Sequence, residues 1–252
     1  MHRWYLWVDN EPRPGWANMA IDQTLLDHAE QSAESWLRLY QWAPHCLSFG
    51  RHEPAAFRYD RDRIQALGID TVRRPTGGRA VWHAQELTYA VAAPSIEFGS
   101  LRAAYHEIHD MLAQALSALG TPTYLAGPRR TPSLSSGACF AEAVGGEIMI
   151  GERKVVGSAQ LRQKNALLQH GSILLEDNQT TVADLMNGDH VLHEDARHAP
   201  WATATDLTEA VKTVATLRWQ GDWLLIEEAP AVLSGAESYY PHYRSPSWTW
   251  AR

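Results

Sequence analysis

The stretch Gly137–Gln160 reads GACFAEAVGGEIMIGERKVVGSAQ. A small-residue turn carries Cys139. Gly146–Ile150 is apolar and β-branched, Gly151-Glu152 is a turn, and Lys154–Val156 resumes the strand pattern before Gly157-Ser158-Ala159 thins the backbone. The pattern predicts a β-hairpin that holds one of only three lysines in the chain, with a cysteine leading into it. A thiolate attacks carbonyls, and a neighbouring ammonium favours the thiolate or orients an acyl group. On residues alone this is a candidate acyl-transfer site. A core cysteine and a solvated hairpin lysine are the ordinary alternatives.

Outward from the hairpin, Leu167–Leu175 is a strand in which Gly171 marks a bulge or a close backbone approach. Upstream, Leu101–Leu119 is the longest helical pattern, with Ile108, Met111, Leu112, Ala115 and Leu116 on one face, and it stops at Gly120. Strands are predicted over Trp4–Val8, Trp36–Trp42, Cys46–Phe49, Ile69–Arg73 and Leu87–Ala92. Helices are predicted over Asn18–Ala29, Tyr59–Leu67, Thr181–Met186 and Thr208–Leu217. Between the strands, Arg73-Arg74-Pro75-Thr76-Gly77-Gly78-Arg79 has two readings. Its glycines let backbone N–H groups approach an anion or carbonyl; a Gly-Gly hairpin turn is the other. His190, His193 and His198 fall in a polar stretch without metal-ligand spacing, so no metal is expected. The aromatic tail from Tyr239 is too short for a core of its own and is expected to pack back on the body. These elements add up to an α+β (mixed α/β) fold. Largely antiparallel or mixed sheets with helices on one face are expected to make one domain over residues 1–252.

Composition is that of an ordinary soluble protein, 45% hydrophobic and 20% charged. The two cysteines, Cys46 and Cys139, are too few for a disulfide framework, so reduced thiols and a cytoplasmic location are expected. Cys46, in the apolar CLSF, reads as core. No apolar run is long enough to span a membrane. A net charge of −7 argues against nucleic-acid binding. Two basic islands, residues 51–79 and 129–164, suit an anionic ligand or an acidic partner.

RRPTGGRAVWH at 73–83, ELTYAV at 86–91, GACF at 137–140 and GERKVVGSAQLRQKNALLQHGSILL at 151–175 resemble, in order, the biotin/lipoate protein ligase catalytic-domain superfamily. Asn18-Met19-Ala20-Ile21-Asp22 and the Trp42, Pro44, Leu47, Ser48, Gly50 pattern resemble it too. The likeness covers residues 15–185 and is strongest to the octanoyltransferases of the LipM type. It implies that octanoyl passes from acyl carrier protein to Cys139. A lysine of a lipoyl domain would then take it, such as that of the glycine cleavage H protein or a 2-oxoacid dehydrogenase E2. No ATP, metal or other cofactor would be required, and a monomer is expected. By this resemblance Cys139 is the nucleophile and Lys154 its catalytic partner. Arg73, Arg74, Thr76, Gly77, Gly78, Arg79, Ala80, Val81 and His83 form the substrate-binding loop. Tyr89, Val156, Gly157, Ser158, Ala159, His170 and Gly171 complete the site.

A free thiol near pKa 8.5 is only a few per cent thiolate at neutral pH, so activation by Lys154 is expected. Backbone N–H groups near Gly77-Gly78 or Gly157 are candidates for an oxyanion hole. Val81, Tyr89 and Val156 are candidates to line the acyl slot. Two departures stand out. Arg79 replaces a glycine usual in ATP-using ligases. Ala84 replaces an Asp that commonly follows the motif histidine, which leaves His83 open to a structural role. An ATP-dependent lipoate–protein ligase, an octanoyl amidotransferase between lipoyl domains and a non-catalytic carrier-binding module are the alternatives.

Overall fold

Alternating side chains in the central strands are apolar on both sides, and the fold follows from that. The computed structural model describes residues 2–126, 147–176, 178–188 and 201–251. Cys139, His190, His193 and His198 lie outside them.

The chain begins with β1 (Arg3–Val8), α1 (Gly15–Ser32) and β2 (Ser35–Tyr40). Next come β3 (Cys46–Phe49), the short helices α2 (Ala55–Arg58) and α3 (Arg61–Ala66), β4 (Asp70–Arg73) and β5 (Val81–His83). β6 (Glu86–Pro94) leads to α4 (Leu101–Ala118), whose Ser100 cap accepts from the Ala103 N–H. β7 (Tyr124–Leu125), β8 (Ile148–Ile150), β9 (Arg153–Gln163) and β10 (Ala166–Leu174) follow. The described chain closes with α5 (Thr180–Asp184), α6 (Ala204–Arg218), β11 (Asp222–Ile226), α7 (Pro230–Ala236), α8 (Tyr240–Tyr243) and α9 (Pro246–Thr249).

The larger sheet runs β11-β1-β2-β6-β10-β9-β8-β7 and is mixed: β1 pairs in parallel with β2 and β11, and every later pairing is antiparallel. The smaller sheet runs β4-β3-β5. Leu37, Leu39, Leu87, Tyr89, Val91 and Ile173 point to one face of the larger sheet, against Ile108, Met111 and Leu112 of α4 and Leu207 and Val211 of α6. Trp36, Tyr40, Ala90, Ala92 and Leu168 point to the other, against Met19, Ile21, Leu25 and Leu26 of α1. Helices therefore cover both faces, not one as expected, because neither face of β2, β6 and β10 is polar enough to meet water. Each fully buried Leu or Ile in these layers contributes about 1.5–3 kcal/mol.

Two other expectations are corrected. The helical pattern of Tyr59–Leu67 is broken at Tyr59, which is extended (φ −118°, ψ 141°) and bridges to Met186. The Asp60 carboxylate then accepts from the Arg63 N–H and starts α3. Gly77-Gly78 is not a hairpin turn. β4 and β5 do not pair; β3 lies between them, so the loop arches over its end. Gly78 has φ +94°, and a Cβ on Gly50 would stand 1.9 Å from the Gly78 carbonyl oxygen, so that approach requires a glycine.

Candidate active site

A pocket of about 400 Å³, partly open to solvent, lies where the two sheets meet beside α1. Its floor is strand backbone and short side chains: Thr88, Gly157, Ser158, Ala159, His170, Gly171 and Ser172. Met19, Tyr40, Trp42, Arg74, Gly78, Val81 and His83 complete the lining. The mostly apolar lining suits a small organic group. Close packing of β9 on β10 makes the floor thin. A Cβ on Gly171 would lie 2.4 Å from the Gly157 carbonyl oxygen and 2.7 Å from Ser158 Oγ, while the register Gly171↔Ser158 stays continuous. Gly171 is thus a close approach and not a bulge.

The residues picked out from sequence divide by location. Arg74, Gly78, Val81, His83, Gly157, Ser158, Ala159, His170 and Gly171 line the pocket. Thr76 stands behind it, its Oγ1 2.7 Å from His170 Nε2. Tyr89 and Val156 join the α4 layer and are not among the residues lining this pocket: strand alternation turns Thr88 to the pocket and Tyr89 to the other face, where its hydroxyl lies 2.7 Å from Ser158 Oγ. Ala80 packs with Leu47 and Phe49 in a third apolar cluster. Gly77 and Arg79 are not among the lining residues, although the Arg74 guanidinium donates to both their carbonyls, at 3.2 and 2.8 Å. Arg73 is buried and donates to backbone carbonyls. The first basic island is therefore in part an internal scaffold, not a charged surface.

His83 Nδ1 is 2.7 Å from Glu86 Oε1, which also accepts from the hydroxyls of Thr88 (2.6 Å) and Ser172 (3.0 Å). Glu86 being the acceptor, His83 carries its proton on Nδ1, and Nε2 accepts from Ser48 Oγ at 2.5 Å. Ser48 Oγ in turn accepts from Arg74 at 2.5 Å. Glu86 thus supplies the carboxylate that Ala84 does not. The His83 ring stacks on Trp42 at 3.9 Å, and burial pushes its pKa down despite Glu86.

A buried ionic cluster backs the lining residues Tyr40 and His170. Arg38 is paired with Asp9 (2.7 Å) and Asp22 (3.0 Å), and donates to Asn18 Oδ1 (2.7 Å). Asp22 Oδ2 accepts from the Tyr40 hydroxyl (2.9 Å) and faces His170 Nδ1 (2.8 Å). His170 therefore meets the pocket as a fixed ring held from behind by Asp22 and Thr76.

Lys154 lies on β9, three residues before the floor glycine Gly157. It is buried, and its Nζ is 2.5 Å from Glu147 Oε1 across the β8–β9 connection. A buried ammonium needs such a partner. Cys46 packs in the α1 layer, fully buried, with its thiol pKa pushed well up by burial, as befits a core cysteine. Among the described residues no cluster of His, Cys, Asp or Glu could hold a metal ion. Sequence reasoning missed Met19, Tyr40, Trp42, Thr88, Ser172 and Glu147. Alternation along β10 and β6 carried a signal for Ser172 and Thr88.

Comparison with known proteins agrees with this architecture. The archaeal bi-partite lipoate protein ligase of Thermoplasma acidophilum superposes with a TM-score of 0.77, covering 100% of this chain and 98% of that one at 18% identity. A lipoate-protein ligase A bound with ATP gives 0.76, covering 99% and 98% at 20% identity. In sequence, the chain is 40% identical over 176 residues to octanoyltransferase LipM of Symbiobacterium thermophilum. That alignment takes in 67% of this chain and 64% of the relative, less than two thirds of its length. It is 34% identical over 262 residues to octanoyltransferase LipM of Exiguobacterium sibiricum, taking in 93% and 94%. Residues 14–218 match the lipoyl protein ligase A/B catalytic domain, and the chain belongs to that family.

Proposed function

We propose that this protein is an octanoyltransferase of lipoate biosynthesis, acting as one catalytic domain in the cytoplasm and as a monomer. The observation that carries this reading is the likeness over nearly the whole of both chains to a relative named octanoyltransferase LipM. The thiol of Cys139 attacks the octanoyl thioester of acyl carrier protein; the carrier leaves as its free thiol and an octanoyl-Cys139 thioester remains. The ε-amine of a lipoyl-domain lysine then attacks that thioester. An amide forms, and Cys139 recovers a proton as it leaves. The acceptor is a domain such as the glycine cleavage H protein or a 2-oxoacid dehydrogenase E2. A thioester donor is already activated, so neither ATP nor a metal is needed. The small, mostly apolar pocket supports an eight-carbon chain as the group held. The buried Lys154 of β9, ion-paired with Glu147 just before β8, supports a fixed cation as the partner of Cys139.

Intact-protein mass spectrometry after mixing with octanoyl-acyl carrier protein, without ATP, tests the proposal. A hydroxylamine-sensitive octanoyl adduct is expected in the wild-type protein and not in Cys139→Ser. Modification of a lipoyl domain only when ATP and free octanoate are supplied would make the protein a ligase instead. No helix of the described residues is long and apolar enough to cross a membrane.

A further inference from the structure

Arg73 points away from the pocket, and what it holds is the end of the chain. Its Nη1 donates to the carbonyls of Gly50 (2.9 Å), Arg51 (3.0 Å) and Glu53 (2.8 Å). Its Nε donates to the Trp248 carbonyl and its Nη2 to the Ala251 carbonyl, each at 2.8 Å. Trp248 returns a bond from its indole N–H to the Arg73 carbonyl at 3.0 Å. One guanidinium fork therefore joins the Gly50–Glu53 turn to Ser245–Ala251. Aromatic contacts seat that segment: Trp250 lies 5.2 Å from Phe49 of β3, and Trp248 lies 4.4 Å from His242.

The turn is the other half of the pocket loop. The Arg51 N–H donates to the Thr76 carbonyl (2.8 Å), the Arg74 N–H donates to the Phe49 carbonyl (2.8 Å), and Gly50 touches the Gly78 backbone directly. Arg74 and Gly78 line the pocket; no residue of Ser245–Ala251 does. The route from the tail to the pocket wall thus runs through Arg73 and the turn.

We infer that Ser245–Ala251 is a strap for the acyl pocket, and that Arg73 is the positioning residue through which it holds the Thr76–Gly78 loop in its binding conformation. The role in octanoyl binding rests on the function proposed above; the mechanical coupling does not. Arginine suits the task because its five donors lie in one rigid plane, whereas lysine offers a single mobile point.

The test is amide hydrogen exchange of the free protein, with octanoyl-transfer kinetics on the same samples. It compares the wild-type chain with a deletion of residues 245–252, with Arg73→Lys and with Trp248→Phe. In the deletion, the Arg51 and Arg74 amides, which donate to the Thr76 and Phe49 carbonyls, are expected to exchange about tenfold faster or more, the size that follows from losing charged hydrogen bonds at a local opening. Protection in β9 and β10 stays at the wild-type level, and KM for the octanoyl donor rises more than kcat falls. Arg73→Lys gives the same pattern more weakly. Wild-type loop exchange and wild-type KM in a folded deletion would overturn the inference. If the deletion does not fold, unchanged loop exchange in both Arg73→Lys and Trp248→Phe overturns it. Exchange is read without substrate, so a wild-type protein that transfers no octanoyl group would refute the proposed function and leave the exchange result standing.

Discussion

Lys154 enters the interior as a cation, and Glu147 at 2.5 Å is positioned to hold it there. Replacing Glu147 by a neutral side chain weakens the hold on a buried ammonium, and breaking a buried pair costs up to about 3–5 kcal/mol. Glu147→Gln is therefore expected to lower the urea midpoint and, by displacing the ammonium, to reduce octanoyl transfer by about 100-fold. Denaturation and rate measurements on one preparation separate the two effects. Lys154 could be picked out from sequence because lysine is rare here. Glu147 could not: it precedes Lys154 by seven residues, and only the irregular β8–β9 register brings the two together. His83 gives a prediction in pH. Burial lowers its folded pKa below the unfolded value of about 6.5, so below that pH the unfolded chain binds the extra proton. Its contribution to stability is complete above about pH 6.5 and is lost as pH falls through that value. His242 is shifted the same way, so the variant matters. His83→Gln should show a shallower decline in urea midpoint between pH 7 and pH 5 than the wild-type protein.

At the level of elements, the floor of the pocket is the junction of β9 and β10. Gly171→Ala would press a methyl group against the Gly157 carbonyl, which neither strand can vacate without breaking the ladder. A loss of about 1–3 kcal/mol is expected, measured by urea unfolding. The strands were largely legible because alternation and turn residues are local; Cys46–Phe49 was read with both ends in place. Less legible was anything set by a distant partner. Tyr59 leaves the helical path to bridge Met186, and the Gly77-Gly78 loop spans a strand instead of turning a hairpin. Tyr89 is a candidate slot residue by sequence, and its parity on β6 turns it toward α4.

Across the whole molecule, the two apolar layers meet at a polar centre. Arg38, on β2, ties Asp9 beyond β1 and Asp22 of α1 into one buried cluster, and Asp22 reaches the pocket through His170. Arg38→Met would leave the buried Asp22 without its arginine, while Asp9 keeps Arg13 at 3.0 Å, and is expected to cost about 3–5 kcal/mol, read as a fall in urea midpoint. Asn18, Asp22 and His170 stand out by resemblance, but their joining through Arg38 is not legible, because the members lie on separate elements and only tertiary packing assembles them.

The parallel pairing of β1 with β11 also bears on synthesis. Arg3 lies opposite Asp222, so the outer edge of β1 is closed by a strand that leaves the ribosome roughly 220 residues later. At about 5–20 residues per second, roughly 10–40 s separate the two. For that interval a nascent chain that has already paired β1 with β2 presents an open strand edge bearing Trp4, Leu6 and Trp7, a template for pairing with a neighbouring chain on the same polysome. The order in which the strands are made then bears on the yield of folded protein as well as on its stability.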